Sequence, residues 1–73
     1  MILTPNLIKG ELYLIEQQLH LPFVRFYHKS FYDEKFIRVM IKSLKRKYKH
    51  LKVEYDSNDY EYIIKIKEKK DEG

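Results

Sequence analysis

A run of positive charge between residues 42 and 52 is the part of this sequence with the clearest chemical meaning. It contains five lysines and one arginine and no acidic residue. Leu44 and Tyr48 recur within it at helical spacing, which places most of the cations on the opposite, solvent-facing side. A row of cations on one helix face suits binding to the phosphates of nucleic acids. The predicted phosphate contacts are Lys42, Lys45, Arg46 and Lys49, with Arg25 and Lys29 extending the surface.

The same cations also have a structural explanation. The helix dipole stabilises positive charge at a helix C-terminus, and Asp33 and Glu34 stand at the other end of this segment. Nearby tyrosines could stack bases beside these cations, which would suit a single strand. Core packing with the hydroxyl groups reaching water is the favoured interpretation of the tyrosines. We therefore expect a small basic protein that binds DNA or RNA, with a regulatory or accessory role, and the sequence does not separate the two nucleic acids.

Catalysis finds little support in the residue spacing. The three histidines are His20, His28 and His50, and no two of them fall on one helical turn. The sequence has no glycine-rich phosphate loop and no nucleophile elbow. A small ribonuclease that uses His28, Arg25 and Tyr27 is the weaker alternative, because such a site needs only a general base and a cation. We expect no enzymatic activity and no cofactor.

Acidic residues cluster around the turn of a predicted hairpin and suggest a different class of function. They are Glu54, Asp56, Asp59 and Glu61. The segment lacks the ligand count and the glycine of a calcium-binding loop, so we expect no metal. The rival hypothesis is a protein-interaction module, or a small inhibitor or regulator, that docks an acidic partner or forms a homodimer. In the dimer the basic helix would face the acidic tip of a second copy, and Ile63, Ile64 and Ile66 would lie near a sheet edge.

Hydrophobic periodicity predicts five elements that would position these residues. Thr4 and Pro5 start a helix over 5–20, and a short aromatic strand follows over 23–28. The second helix is predicted over 31–49, with Ser30 and Asp33 as a capping box. The period then changes to two, which predicts a hairpin of strands 51–55 and 60–67 around a turn at 56–59.

The hairpin register is predicted to pair Tyr55 with Tyr60, Val53 with Tyr62 and Leu51 with Ile64, which sets Glu54 opposite Glu61. The element order predicts a two-layer α+β domain, α-β-α-β-β, with two helices on a mainly antiparallel sheet. An edge strand at residues 1–3 would make the order βαβαββ. A winged-helix-like fold is the alternative, and it requires a break within 31–49. The predicted core is Ile8, Leu12, Ile15, Phe26, Phe36, Met40, Leu44, Val53 and Ile64.

Composition limits the class of protein. The chain has 73 residues, a net charge of +4 and no cysteine. It carries no signal-peptide pattern and no apolar run near the length that crosses a bilayer. We expect one domain over 1–67 with a charged, frayed tail over 68–73, a cytoplasmic location and no membrane partner.

Overall fold

The computed structural model describes residues 5–69 and contains two helices and three strands. Helix α1 spans Pro5–Gln18, strand β1 Phe23–His28, helix α2 Glu34–Lys47, strand β2 Leu51–Ser57 and strand β3 Glu61–Glu68. The predicted α+β class and element order are confirmed. The proposed strand at residues 1–3 and the end of the tail, 70–73, lie outside the described residues. Between residues 5 and 69 no helix combines the length and the apolar character that crossing a membrane requires.

The three strands form one antiparallel sheet in the order β1-β3-β2. Helix α2 packs over β2 and β3, and α1 packs beside α2. The core lies between the helices and one face of the sheet. Because β3 is the central strand, the expectation that its isoleucines lie near an edge is wrong, and Ile64 and Ile66 are fully buried.

Helix α2 begins later than predicted because Asp33, not Ser30, is its N-cap. The Asp33 carboxylate accepts a hydrogen bond from the Phe36 N–H at 2.9 Å, and the Ser30 N–H instead donates to His28 Nδ1 at 3.1 Å. The helix then runs without a break to Lys47. A winged-helix fold would need two helices in this stretch, so that alternative is wrong.

The β2–β3 hairpin has the predicted faces but a different register. Its pairs are Val53 with Ile66 and Tyr55 with Ile64, which shifts β3 by four residues from the predicted register. The cause is Asn58, whose side-chain oxygen accepts hydrogen bonds from the Tyr60 and Glu61 N–H groups at 2.8 Å each. This local turn moves the reversal towards β3. A shift of four keeps every side chain on its face, since strand side chains alternate with period two.

The observed core matches most of the predicted one. Six predicted residues are buried: Ile15, Phe36, Met40, Leu44, Val53 and Ile64. Ile8 and Leu12 are half-buried against the same cluster. The prediction that Phe26 belongs to the core is wrong. Its side chain is 57% exposed on the other face of β1, and Phe23 and Tyr27 point into the core instead. This leaves an aromatic ring on the open face of the sheet.

Candidate nucleic-acid interface

The outer side of α2 carries the four cations predicted on this segment. Lys42, Lys45 and Arg46 are exposed on the helix, and Lys49 is exposed just beyond its end. Positions separated by three or four residues share one side of a helix, which groups Lys42, Lys45 and Arg46. Lys49 lies past the helix end and lines one depression together with Lys45. The opposite side of α2 is buried through Phe36, Ile37, Met40, Ile41 and Leu44. We call Lys42, Lys45, Arg46 and Lys49 the α2 cationic face.

These four cations differ from most of the others in lacking a carboxylate partner. Within residues 5–69, no Asp or Glu oxygen lies within 4.0 Å of their charged nitrogens, whereas six other cations form such pairs. The pairs are Arg25–Glu11, Arg38–Glu34, Lys47–Glu16, Lys65–Asp56, and Lys67 and Lys52 with Glu54. The α2 cationic face is therefore positive charge that the described fold leaves uncompensated.

A depression beside the end of α2 extends this positive surface. It has a volume of about 390 Å³, and its lining includes Lys45, Lys49, Lys52 and Lys69. Lys69 Nζ donates a hydrogen bond to the Lys49 carbonyl at 3.1 Å, which ties the end of β3 to the end of the helix. The lining also includes one acidic residue, Glu54, whose Oε2 lies 4.0 Å from Lys52 Nζ. Four amines around one depression form a site suited to a multiply charged anion.

Sequence reasoning missed Lys52 and Lys69 as members of this surface. Lys52 is the last residue of the basic run and lies at the start of β2, directly after the helix end. That position in the sequence was the signal that could have added Lys52 to the surface. Lys69 lies 17 residues further along the chain. It reaches the site because β3 returns beside the start of β2, where Leu51 pairs with Glu68. Only the correct hairpin register would have placed it there.

Arg25 lies on a different part of the molecule. It is on β1, the edge strand farthest from β2, and its side chain points towards α1. Arg25 Nε donates to Glu11 Oε2 at 3.2 Å and to the Tyr27 hydroxyl at 3.0 Å. The Tyr27 hydroxyl in turn donates to Glu11 Oε2 at 3.0 Å. Burial, reinforced by the charge of Glu11, raises the pKa of Tyr27 well above its ordinary value.

Lys29 is also separated from the α2 cationic face. It lies in the turn that leads into α2, and its ammonium group stands 5.1 Å from the centre of the Tyr62 ring. The 14 residues of α2 separate this end from Lys49 by about 20 Å. The structure therefore brings Lys42, Lys45, Arg46 and Lys49 together and leaves Arg25 and Lys29 elsewhere.

The structure does not assemble the alternative catalytic or metal groups. Along β1, Arg25 and Tyr27 face the helices while His28 faces the opposite side of the sheet. Glu54 lies opposite Lys65, so the predicted pairing of Glu54 with Glu61 is wrong. Over residues 5–69, no group of three or more His, Asp or Glu side chains is placed to hold a metal ion.

Comparisons with known proteins do not supply a function. No protein-family model matches the chain, and no curated protein or solved structure matches it. The functional argument therefore depends on the chain's own residues and their arrangement.

Proposed function

We propose that this protein binds nucleic acid through the α2 cationic face, with Lys52 and Lys69 extending the contact along the depression. The observation that carries the proposal is the set of four exposed cations without a carboxylate partner among the described residues. A cation already held by a carboxylate must exchange one partner for another when it binds a phosphate. An unpaired cation gains a partner without that exchange.

Counterion release sets the expected salt dependence. Each phosphate neutralised on duplex DNA contributes a slope of about −0.9 to the plot of log affinity against log salt. Four contacts from the α2 cationic face give a slope of about −3.6 by this rule. Between 50 and 200 mM salt the affinity should then fall by roughly 100-fold.

Fluorescence anisotropy with labelled duplex DNA, single-stranded DNA and single-stranded RNA tests the proposal. In the double variant Lys45→Glu with Arg46→Glu, we expect the affinity to fall strongly and the salt slope of the remaining binding to be shallower than in the wild type. The matched control is Lys9→Glu with Lys29→Glu, which changes the net charge by the same amount away from the α2 cationic face. The control should retain most of the wild-type affinity.

Two results of the nucleic-acid titrations would overturn the proposal. One is the absence of binding to any of the three nucleic acids at low salt. The other is an equal loss of affinity in the two double variants, since that would make net charge, and not the α2 cationic face, responsible. An acidic protein would engage the same cations, so polyglutamate is included as a competitor. Preference for polyglutamate over every nucleic acid at equal salt would assign this face to a protein partner instead.

A further inference from the structure

Strand β1 has one edge that pairs with no strand in the described part of the chain. Its other edge pairs with β3. The ladder continues past the strand, where the Lys29 N–H donates to the Tyr60 carbonyl at 2.8 Å. Hydrogen-bonded pairs alternate along an antiparallel ladder, so Arg25 and Tyr27 also direct their backbone groups towards β3. The N–H and C=O groups of Val24, Phe26 and His28 are therefore directed to the open edge.

The two edges of the sheet differ in how they are guarded. Edge strands of soluble proteins usually carry charged side chains, proline or bulges that prevent pairing with another chain. Strand β2 follows this rule, because its outward-facing residues are Lys52, Glu54 and Asp56. On β1 the corresponding residues Val24 and Phe26 are apolar and 49% and 57% exposed. Only the β2 edge has charges that oppose strand pairing.

The flank of α1 away from α2 has no unpaired charge in the same region, because its one acidic residue, Glu11, is paired with Arg25 of β1. Glu16 faces α2 through its ion pair with Lys47, and Leu14, about 160° around the helix from Glu16, lies on the opposite flank with Gly10 beside it towards solvent. Leu14 is 41% exposed. A Cβ added at Gly10 would meet no atom within 4 Å, so the fold of one chain gives no packing reason for a glycine inside this helix. Close approach of another helix would give one.

The distribution of charge favours a second copy as the occupant of this surface. The chain has a net charge of +4, so two copies repel each other overall, and least where neither presents unpaired charge. Within β1 the cation Arg25 is neutralised by Glu11, and the ammonium group of Lys29, just past the strand, lies 5.1 Å from the centre of the Tyr62 ring. The α2 cationic face lies towards the other edge of the sheet. Two copies that meet at β1 therefore keep their two α2 cationic faces apart.

We propose that two copies of this chain pair antiparallel along their open β1 edges and form a continuous six-stranded sheet. The two-fold axis passes between Phe26 and its counterpart, because the three available residues, Val24, Phe26 and His28, are centred there. Val24 then lies opposite His28 of the second copy. The two α1 helices approach each other through the flank that contains Gly10 and Leu14. This interaction does not depend on nucleic-acid binding.

Molar mass by light scattering tests whether the pairing occurs. We expect twice the 9.1 kDa chain mass for the wild type, and the mass of one chain for Phe26→Lys at the same concentration. Tyr13→Lys is the matched control, since Tyr13 is 61% exposed on the solvent side of α1 and its change adds the same charge. It should remain a dimer. A monomeric wild type, or a dimer that persists in Phe26→Lys, would overturn the proposal.

Cysteine cross-linking tests the register, and the chain has no native cysteine to interfere. In the proposed pairing the two residues at position 26 oppose each other about 5.5 Å apart at Cα, within the range of a disulfide. The two residues at position 24 are about 14 Å apart at Cα, well outside that range. Under mild oxidation, Phe26→Cys should cross-link to a dimer and Val24→Cys should not.

Two further outcomes, one from cross-linking and one from a truncated chain, would also contradict the proposal. Equal cross-linking of both variants would indicate random collision and not the proposed register. A wild-type monomer that dimerises only after removal of residues 1–4 would assign the β1 edge to the chain's own N-terminal segment.

Discussion

Removal of the buried Glu11 carboxylate should destabilise the fold by breaking the polar link between α1 and the sheet. Glu11 is 9% exposed and accepts hydrogen bonds from the Tyr27 hydroxyl at 3.0 Å and from Arg25 Nε at 3.2 Å. Both donors lie on β1, so this carboxylate links α1 to the sheet. The substitution Glu11→Leu keeps the approximate volume and the helix propensity while it deletes both contacts.

The expected loss follows from the burial of each contact. A hydrogen bond from a buried hydroxyl to a carboxylate contributes about 1.5–3 kcal/mol. The Arg25 side chain is 29% exposed, so water replaces much of its ion pair, which contributes less than about 1 kcal/mol. Burial of the new leucine side chain offsets part of this. We expect the free energy of unfolding to fall by about 2 kcal/mol, or roughly 10 °C in Tm for a domain of this size.

Urea denaturation at neutral pH, followed by circular dichroism, measures this change, at one protein concentration for all variants. Glu16→Leu is the matched control, because Glu16 lies on the same helix but its ion pair with Lys47 is more exposed. The control should lose less than about 1 kcal/mol. The double variant Glu11→Leu with Tyr27→Phe should lose less stability than the sum of the two single losses. The reason is that both substitutions remove the same hydrogen bond, from the Tyr27 hydroxyl to Glu11. If Glu11→Leu were no less stable than Glu16→Leu, the assigned role of the carboxylate would be refuted.

Two further predictions concern the sheet. The raised pKa of Tyr27 means that the folded chain keeps the phenol proton above pH 10, where the unfolded chain loses it. The free energy of unfolding should therefore fall as the pH rises beyond 10. The fall should be steeper in the wild type than in Tyr27→Phe, by up to about 1.4 kcal/mol per pH unit, and urea titrations from pH 9 to 11 measure it. Asn58→Ala should lose about 1 kcal/mol in urea titrations, since the Tyr60 and Glu61 N–H groups lose their acceptor. Asn58→Asp keeps the acceptor and should lose less; an equal loss in both variants would contradict this account of the turn.

Periodicity along the chain was enough to predict the elements and the buried side of α2. Phe36, Met40 and Leu44 recur at helical spacing beside charged positions, so only one side of that helix could face a core. The change to period two after residue 50 likewise predicted the hairpin, and its apolar faces are those expected. These features depend on interactions between neighbours in sequence, which are visible in a single chain.

The buried face of β1 could not be chosen from the sequence. Val24 and Phe26 on one face are as apolar as Phe23 and Tyr27 on the other, so alternation alone favours neither. The choice depends on Glu11, which lies 16 residues before Tyr27 and reaches it only in the folded chain. Arg25 lies on the same face as Phe23 and Tyr27 by strand alternation, and there it pairs with the same carboxylate. An isolated strand pattern carries no information about such a partner.

The position of the unpaired charge was predicted only in part, for a similar reason. Residues 20–52 contain ten lysines and arginines and two acids, so the sequence shows where cations are concentrated. It does not show which of them the acids neutralise. In the structure Glu54 and Asp56 pair with lysines of the same sheet face, Glu16 pairs with Lys47, and the α2 cationic face keeps its charge.

The two proposals concern opposite sides of the molecule and can therefore be separated. Strand order places β1 at one edge of the sheet, and α2 packs over β2 and β3 towards the other. A dimer joined at β1 leaves both copies of the α2 cationic face at its outer ends. Phe26→Lys should then abolish dimerisation while the charge-reversed pair at Lys45 and Arg46 should leave it unchanged. The charge-reversed pair should instead lower the affinity for nucleic acid, and Phe26→Lys should leave the affinity of each α2 cationic face unchanged. On a duplex long enough to reach both faces of a dimer, Phe26→Lys should lose only the avidity that two linked faces add.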